Sequence, residues 1–263
     1  MEFPRPASRL AFSARCSNAG PVNENWPKES EEGLVVTDNA MGVMTTELSP
    51  AAAAFVQLAA TARSPLLEIG AAYGNVTLPA LEAGATVIAN DLSATELAVL
   101  ARSAGARRRH LALLPARFPG ELPLGEHSLS GVLVAQVLHF LDGPTGEESF
   151  QAVHRWLEPG GCFFVLVMTP SLSYYRTLRP EFEERVRRGE RWPGIFDPRT
   201  VSTPDWKDHL PPMVHLFEKD ILRRCCEEAG FVIETMEYFC FRNFPDKHRT
   251  DGREYVSLVA RKS

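Results

Sequence analysis

LLEIGAAYGNVT, Leu66–Thr77, is the stretch that decides how this 263-residue chain folds. Leu66–Ile69 is a short apolar run of strand type, interrupted only by Glu68. Gly70 and Gly74 then permit a tight backbone turn, and Val76–Glu82 continues with helical patterning. Glycine suits such a turn because it lacks a Cβ, reaches left-handed conformations and lets a ligand approach the main chain. Alone, a strand–glycine–helix turn serves many functions.

Asp91 narrows the choice. It closes the next apolar run, Thr86–Ala89, within VIANDLS, at the spacing where a carboxylate can take both hydroxyls of a nucleoside ribose. Its alternative duty, capping the following helix, already belongs to Ser93 in the capping box Ser93-Ala94-Thr95-Glu96. Outward from this pair the pattern repeats. Apolar runs at His110–Leu114, Val132–Ala135 and Cys162–Met168 alternate with helical segments at Ser93–Ser103 and Glu147–Leu157. Non-alternating strands separated by helices predict a mostly parallel sheet with helices on both faces.

Toward the N-terminus, Ser49-Pro50 reads as an N-cap followed by proline at the first helical position, and Ala51–Ala62 has strong helix propensity. Residues 1–33 show no sustained period, and residues 1–48 are expected to form a flexible arm before a domain spanning 49–263. Toward the C-terminus, residues 170–215 carry seven prolines and seven arginines, with Tyr174, Tyr175, Trp192 and Trp206. That is too long and aromatic for a simple connection, so a cap over the sheet edge is expected. A helix at Glu218–Ala229 and strands at Phe231–Phe239 and Tyr255–Ala260 complete the pattern.

Composition removes several function classes. A net charge of −5 gives no bulk attraction for phosphate backbones or anionic lipid, so neither nucleic acid nor membrane is an expected partner. The five cysteines, Cys16, Cys162, Cys225, Cys226 and Cys240, form no CxxC pair, so no metal site or disulfide framework is expected. No apolar run approaches the ~20 residues of a membrane span. A cytoplasmic protein is the expectation, with the oligomeric state left open.

LLEIGAAYGNVT, VIANDLS, AQVLHF at the fourth strand's end and LEPGG before the fifth resemble, in that order and spacing, the class I S-adenosylmethionine-dependent methyltransferases. The resemblance covers roughly residues 49–263, with 170–215 the least family-like part. It implies an α/β fold: a doubly wound, seven-stranded, mostly parallel Rossmann-like sheet, helices on both faces, one late antiparallel strand and an inserted cap. It also implies S-adenosyl-L-methionine as cofactor. Glu68, Gly70, Ala71 and Gly74 would then hold the methionine end, Asp91 the ribose, and Leu92 the adenine face, with Gln136 beside the cofactor. Two departures stand out. Ala72 replaces the usual second glycine, and Pro115 stands where many members carry an acidic residue for the adenine amine. Adenine recognition then falls to main chain at Ala116 and Arg117, or to packing by Phe118. Rival nucleotide readings lack their motifs: no GxGxxG, no Tyr followed four residues on by Lys, and no Gly-Lys-Ser/Thr loop.

Methyl transfer from a sulfonium is an in-line displacement, so the protein's work is alignment and exclusion of water. A base is needed only when the acceptor must lose a proton. His139, Tyr73 and His215 are the catalytic candidates. Each has a plainer alternative: a packed imidazole beside the cofactor, a cover for the glycine loop, and a buried, satisfied histidine. Tyr174, Tyr175, Arg176, Arg179, Arg191 and Trp192 in the cap suit a small anionic or aromatic acceptor. The interleaved Glu181, Glu183, Glu184 and Glu190 fit a solvated helix of internal ion pairs instead. The leading expectation is a small-molecule methyltransferase acting on O, N or C. A protein methyltransferase comes second, and a cofactor-binding regulator without turnover third. Ala135-Gln136-Val137-Leu138 lacks the Asn/Asp-Pro-Pro-aromatic motif of exocyclic-amine enzymes.

Overall fold

The computed structural model describes residues 34–36, 43–200, 211–243 and 249–263. Seven strands form the central sheet: β1 Leu66–Ile69, β2 Val87–Asp91, β3 Leu111–Pro115, β4 Leu129–Ala135, β5 Leu157–Met168, β6 Phe231–Phe239 and β7 Tyr255–Lys262. They stand in the order β6-β7-β5-β4-β1-β2-β3. β1 to β5 pair in parallel, and β7 runs antiparallel to both β5 and β6. The chain winds outward from β1 to β3, then restarts at β4, so β1 and β4 flank the switch point where ligands bind in open α/β sheets.

Successive strand residues point to opposite faces, and the two cores separate accordingly. Leu66, Val87, Leu133 and Phe164 pack with helices α1 Pro50–Ala59, α2 Thr77–Glu82 and α3 Ala94–Ser103. Leu67, Val132, Val134 and Phe163 pack with α4 Gly143–Trp156 on the other face. Local chemistry sets the helix starts. Ser49 accepts from Ala52 N–H with Pro50 following, Ser93 accepts from Glu96 N–H, and Asp142 accepts from Thr145 N–H. The Asp142 cap starts α4 at Gly143 rather than Glu147, because a cap and not apolar spacing places that boundary. β5 likewise begins at Leu157, and register shifts between the Leu129–Leu157 and Gly131–Cys162 pairs, where LEPGG bulges out.

The expected flexible arm is corrected in part. Leu34–Val36 and Val43–Thr45 pair as an antiparallel hairpin, and Val35 is fully buried against Ala72, Tyr73 and Val99. Residues 1–33 lie outside the described residues.

After β5 the cap begins with a 3-10 turn, Ser173–Leu178, and helix α5, Arg179–Arg187. A two-stranded ribbon pairs Ile195–Phe196 with Val214–His215, and α6 Lys219–Glu228 follows. Trp206 lies outside the described residues. Leu178, Phe182, Phe196 and Val214 of the cap join the α4 face of the core. Main chain ties the cap back to the sheet: Phe217 N–H donates to Met168 O at the end of β5. Among the described residues no helix is long and apolar enough to cross a membrane.

Candidate functional site

Behind β1 the chain turns through Gly70 (φ +74°), Ala72 (φ +44°) and Gly74 (φ +92°). Gly70 N–H and Ala71 N–H both donate to Asn90 O at 2.9 Å, which locks the turn to the end of β2. A Cβ at Gly70 would strike the Val137 side chain, and one at Gly74 would strike Leu100. Both positions therefore need glycine for space as well as conformation. Ala72 occupies the left-handed region despite its Cβ, a strain of about 1–3 kcal/mol. Its N–H donates to Asp91 Oδ2 at 2.9 Å, a charge-assisted bond that offsets the strain. The replaced glycine thus alters the loop's cost and leaves its turn in place.

Asp91 sits at the carboxyl end of β2 and is 7% exposed. Its second oxygen, Oδ1, accepts from Ser93 N–H at 2.9 Å. A carboxylate oxygen carries two lone pairs, so each retains capacity for a hydroxyl donor. Leu92, the next residue, is 54% exposed, a large apolar side chain standing free beside a buried carboxylate. An exposed leucine there is the surface a flat purine would cover.

Glu68 is buried within β1 and accepts from the Thr77 hydroxyl. Burial pushes its carboxyl up to about 8, against the lowering pull of the Thr77 hydrogen bonds, and Asp91 adds to the rise. Gln136 follows β4 with φ +56°, and its N–H donates to Leu166 O at 2.8 Å. Ala135 O and Val137 border Gly70, so the end of β4 abuts the glycine turn. Glu68, Gly70, Ala71, Gly74, Asp91 and Gln136 therefore stand together at the carboxyl ends of β1, β2 and β4.

The adenine candidates are arranged differently. Asn90, buried, donates through Nδ2 to Leu114 O and Ala116 O, both at 2.8 Å, so the Ala116 carbonyl is already engaged. Arg117 N–H donates to Glu121 Oε2 at 2.9 Å. Phe118 turns into the core against Trp156, with centroids 6.2 Å apart, and is 5% exposed. Asn90 was not singled out in the sequence, although asparagine inside a strand is a depleted residue and a legible signal.

The three catalytic candidates are all buried. Tyr73 is 1% exposed beneath Val35. His139 lies in a 3-10 turn, Leu138–Phe140, just past β4, with Nδ1 buried and unpartnered. Burial, with a contribution from His215, pushes it down to about 3. His215 is fully buried, stacked on Phe217 at 4.1 Å and edge-on to Trp192 at 5.2 Å. Its Nδ1 lies 3.1 Å from Leu141 O, which requires the proton on Nδ1, and burial pushes it down to about 4. Both imidazoles are neutral at neutral pH.

In the cap, Arg191 and Arg179 are paired with carboxylates. Arg191 bridges Glu147 of α4 and Glu228 of α6, and Arg179 bridges Ser171, Glu183 and Glu218. A cavity of about 740 Å³ between α5 and α6 is walled by such pairs and touches neither the glycine turn nor Asp91. Tyr174 is 53% exposed. Tyr175 packs against the cluster of Leu166, Leu172, Phe241 and Tyr255, and burial pushes its hydroxyl up to about 12.

Residues 67–165 match the model of a methyltransferase domain. No curated protein matches the chain. Solved structures share the fold at low identity. A SAM-dependent methyltransferase from Methanosarcina mazei is 16% identical over 82% of this chain and 98% of its own, with a TM-score of 0.59. The CcbJ methyltransferase from Streptomyces caelestis is 20% identical over 84% and 99%, with a TM-score of 0.56. A Burkholderia thailandensis 1,6-didemethyltoxoflavin-N1-methyltransferase is 19% identical over 81% and 79%, with a TM-score of 0.53. The matched segment and the strand order agree: residues 67–165 resemble a methyltransferase domain, and the chain shares the fold of solved SAM-dependent methyltransferases.

Proposed function

We propose that the chain transfers the methyl group of S-adenosyl-L-methionine to a small-molecule acceptor at O, N or C. The observation that carries this reading is Asp91 beside Leu92. A buried carboxylate with spare lone pairs and an exposed apolar side chain meet at the carboxyl edge, next to a glycine turn. That acceptor and surface set fits a nucleoside: Asp91 for the ribose and Leu92 for the adenine face, whereas Arg117 main chain is already engaged with Glu121. Glu68, Gly70, Ala71, Gly74 and Gln136 would border the methionine end.

When bound, the cofactor supplies an electrophilic methyl on a sulfonium centre. The protein's own residues orient and dry the site. The Ala72–Asp91 and Gly70–Asn90 hydrogen bonds preorganise the loop, so little reorganisation remains on binding. His139 is the candidate next to the end of β4. A neutral imidazole held near 3 is a poor proton acceptor at neutral pH, so its role is hydrogen bonding rather than base catalysis. His215 and Tyr73 act by packing, the first under the cap and the second under the N-terminal hairpin. These assignments favour an acceptor atom that attacks without first giving a proton to the protein.

The acceptor is assigned to the carboxyl edge under Tyr174 and Tyr175, which supply flat apolar surface. Two proteins of this fold, a 1,6-didemethyltoxoflavin-N1-methyltransferase and a glycopeptide N-methyltransferase, support a small-molecule class. Titration calorimetry of S-adenosylhomocysteine into the parent, Asp91→Ala and Asp91→Asn tests the reading. Hydrogen bonds to a charged group are worth about 1.5–3 kcal/mol, so Asp91→Ala should weaken binding about tenfold or more, and Asp91→Asn less. Equal affinities in three folded proteins would overturn the ribose assignment. S-adenosylhomocysteine release with a panel of acceptors then separates an enzyme from a binder.

A further inference from the structure

The segment between the N-terminal hairpin and α1 makes contacts that a simple lead-in does not need. Asn75 Nδ2, from the chain just past the glycine turn, donates to Thr45 O at 2.9 Å. Two residues on, Glu47 accepts from Arg242 N–H at 2.7 Å, Arg242 Nε at 2.8 Å and Asn243 N–H at 3.3 Å. Ser49 then caps α1, and Ala51 N–H donates to Ser257 Oγ of β7.

These partners follow an edge strand and an interior strand that are well separated in the sheet. Asn75 follows β1 and Arg242 follows β6, strands four places apart in the order β6-β7-β5-β4-β1. At a spacing of ~4.8 Å per strand, that separation is about 19 Å. Thr45 and Glu47 can touch both only if the chain after β6 leans inward. Phe241 shows that it does, packing on Leu166 and Leu172 above β5. The Thr45–Ser49 strap therefore runs along the carboxyl edge from the glycine turn toward β7. β4 and β5 lie between β1 and β7 in the sheet, so the strap spans the interval where the cofactor's methionine end and the acceptor would meet.

We infer that Glu47 is a positioning residue for the cofactor site: its carboxylate latches the strap to the post-β6 segment and so holds the cleft closed over bound cofactor. The inference rests on the cofactor reading above. Burial places the strength of the latch in the main-chain bonds. The Glu47 side chain is 11% exposed, whereas that of Arg242 is 87% exposed. An ion pair with so open a partner is screened, while two N–H donors on a largely buried carboxylate are not. The expected order of effects is therefore Glu47→Ala, then Glu47→Gln, which keeps one acceptor oxygen, then Arg242→Ala, which leaves both N–H donors in place.

The test is the dissociation rate of S-adenosylhomocysteine from the full chain, read by stopped flow beside equilibrium affinity. Glu47→Ala should release the ligand about tenfold faster, as expected for losses that fall mainly on dissociation. Glu47→Gln should fall between, and Arg242→Ala should stay within about twofold of the parent because exposed pairs contribute little. Hydrogen exchange should rise at residues 45–48 and 240–243 in Glu47→Ala without ligand. A merely structural glutamate would lower thermal stability and leave the dissociation rate unchanged, and that result overturns the latch. If Glu47→Ala does not fold, a parental rate in Glu47→Gln overturns it equally. A parent that binds no S-adenosylhomocysteine overturns the cofactor reading and the latch with it; parental kinetics in the variants overturn the latch alone.

Discussion

The glycine-turn half of the molecule, β1 to β3 with α2 and α3, and the cap half, α5 to β7, are organised by different forces. In the first, partners are close in sequence or on adjacent strands: Ala72 with Asp91, Gly70 with Asn90, Glu68 with Thr77. Its polar groups are buried and few, and each fixes main chain. In the second, the anchors are aromatic side chains and long-range stitches. Phe182 and Phe196 sink into the α4 core, Thr250 Oγ1 donates to Ser171 O, and Thr169 N–H donates to Glu254 O. The outer face of the cap is covered by ion pairs such as Arg191 with Glu147 and Glu228. A preorganised ligand loop, as proposed for the first half, needs the first kind of construction, and the acceptor cover proposed for the second tolerates the other.

The largest effect expected from breaking this contrast is in the cap. Phe182 is 4% exposed, and its truncation removes the apolar anchor of α5. Phe182→Ala should cost about 3–5 kcal/mol in urea unfolding if cap and sheet unfold together. Loss of hydrogen-exchange protection confined to residues 173–200, with the global midpoint unchanged, would show that the cap is a separate cooperative unit.

A smaller effect, and one specific to the glycine-turn half, concerns Glu68. Its folded-state pKa, about 8, lies above the 4.5 of a solvated glutamate, so the folded protein binds more protons than the unfolded chain between those limits. Stability contributed by the neutral carboxyl is full below 4.5 and is lost as pH rises through 8. One proton corresponds to ~1.4 kcal/mol per pH unit, so the parent should lose about 2 kcal/mol between pH 6 and pH 8 from this group. Glu68→Gln should flatten that slope and equal or exceed the parent's stability at pH 8. Parallel pH profiles for the two proteins would mean that Glu68 is ionised in the fold.

Arg191→Ala should do least. The guanidinium is half exposed and its partners lie on the outside of α4 and α6, so the unfolding midpoint should stay at the parent's within error. Acceptor affinity should also be unaffected, since Arg191 faces Glu147 and Glu228. A larger loss of acceptor binding would return the cap arginines to the site.

Much of the first half was legible without coordinates, because its interactions are local. A strand, a glycine turn, a capped helix and an acidic strand end follow from short-range sterics and hydrogen bonding, which a sequence displays directly. LLEIGAAYGNVT, the cap at Ser93 and Asp91 all read that way. Other features required the fold. The burial of Tyr73, His139 and His215 depends on which elements pack over them, and nothing near Tyr73 in the chain announces Val35 as its cover. Phe118 stood open to an adenine role until Trp156 was placed against it. The arginines of 170–200 looked available until Glu147 and Glu228, on two other helices, were brought alongside Arg191. Glu47 and Arg242 are separated by most of the chain, and only the return of the post-β6 segment across the sheet edge joins them. The sequence by itself determined the local turns and the strand–helix alternation, since those depend on neighbouring residues. Tertiary structure alone decided which polar groups are buried, neutral or paired, because desolvation and pairing depend on partners that the chain brings together only when it folds.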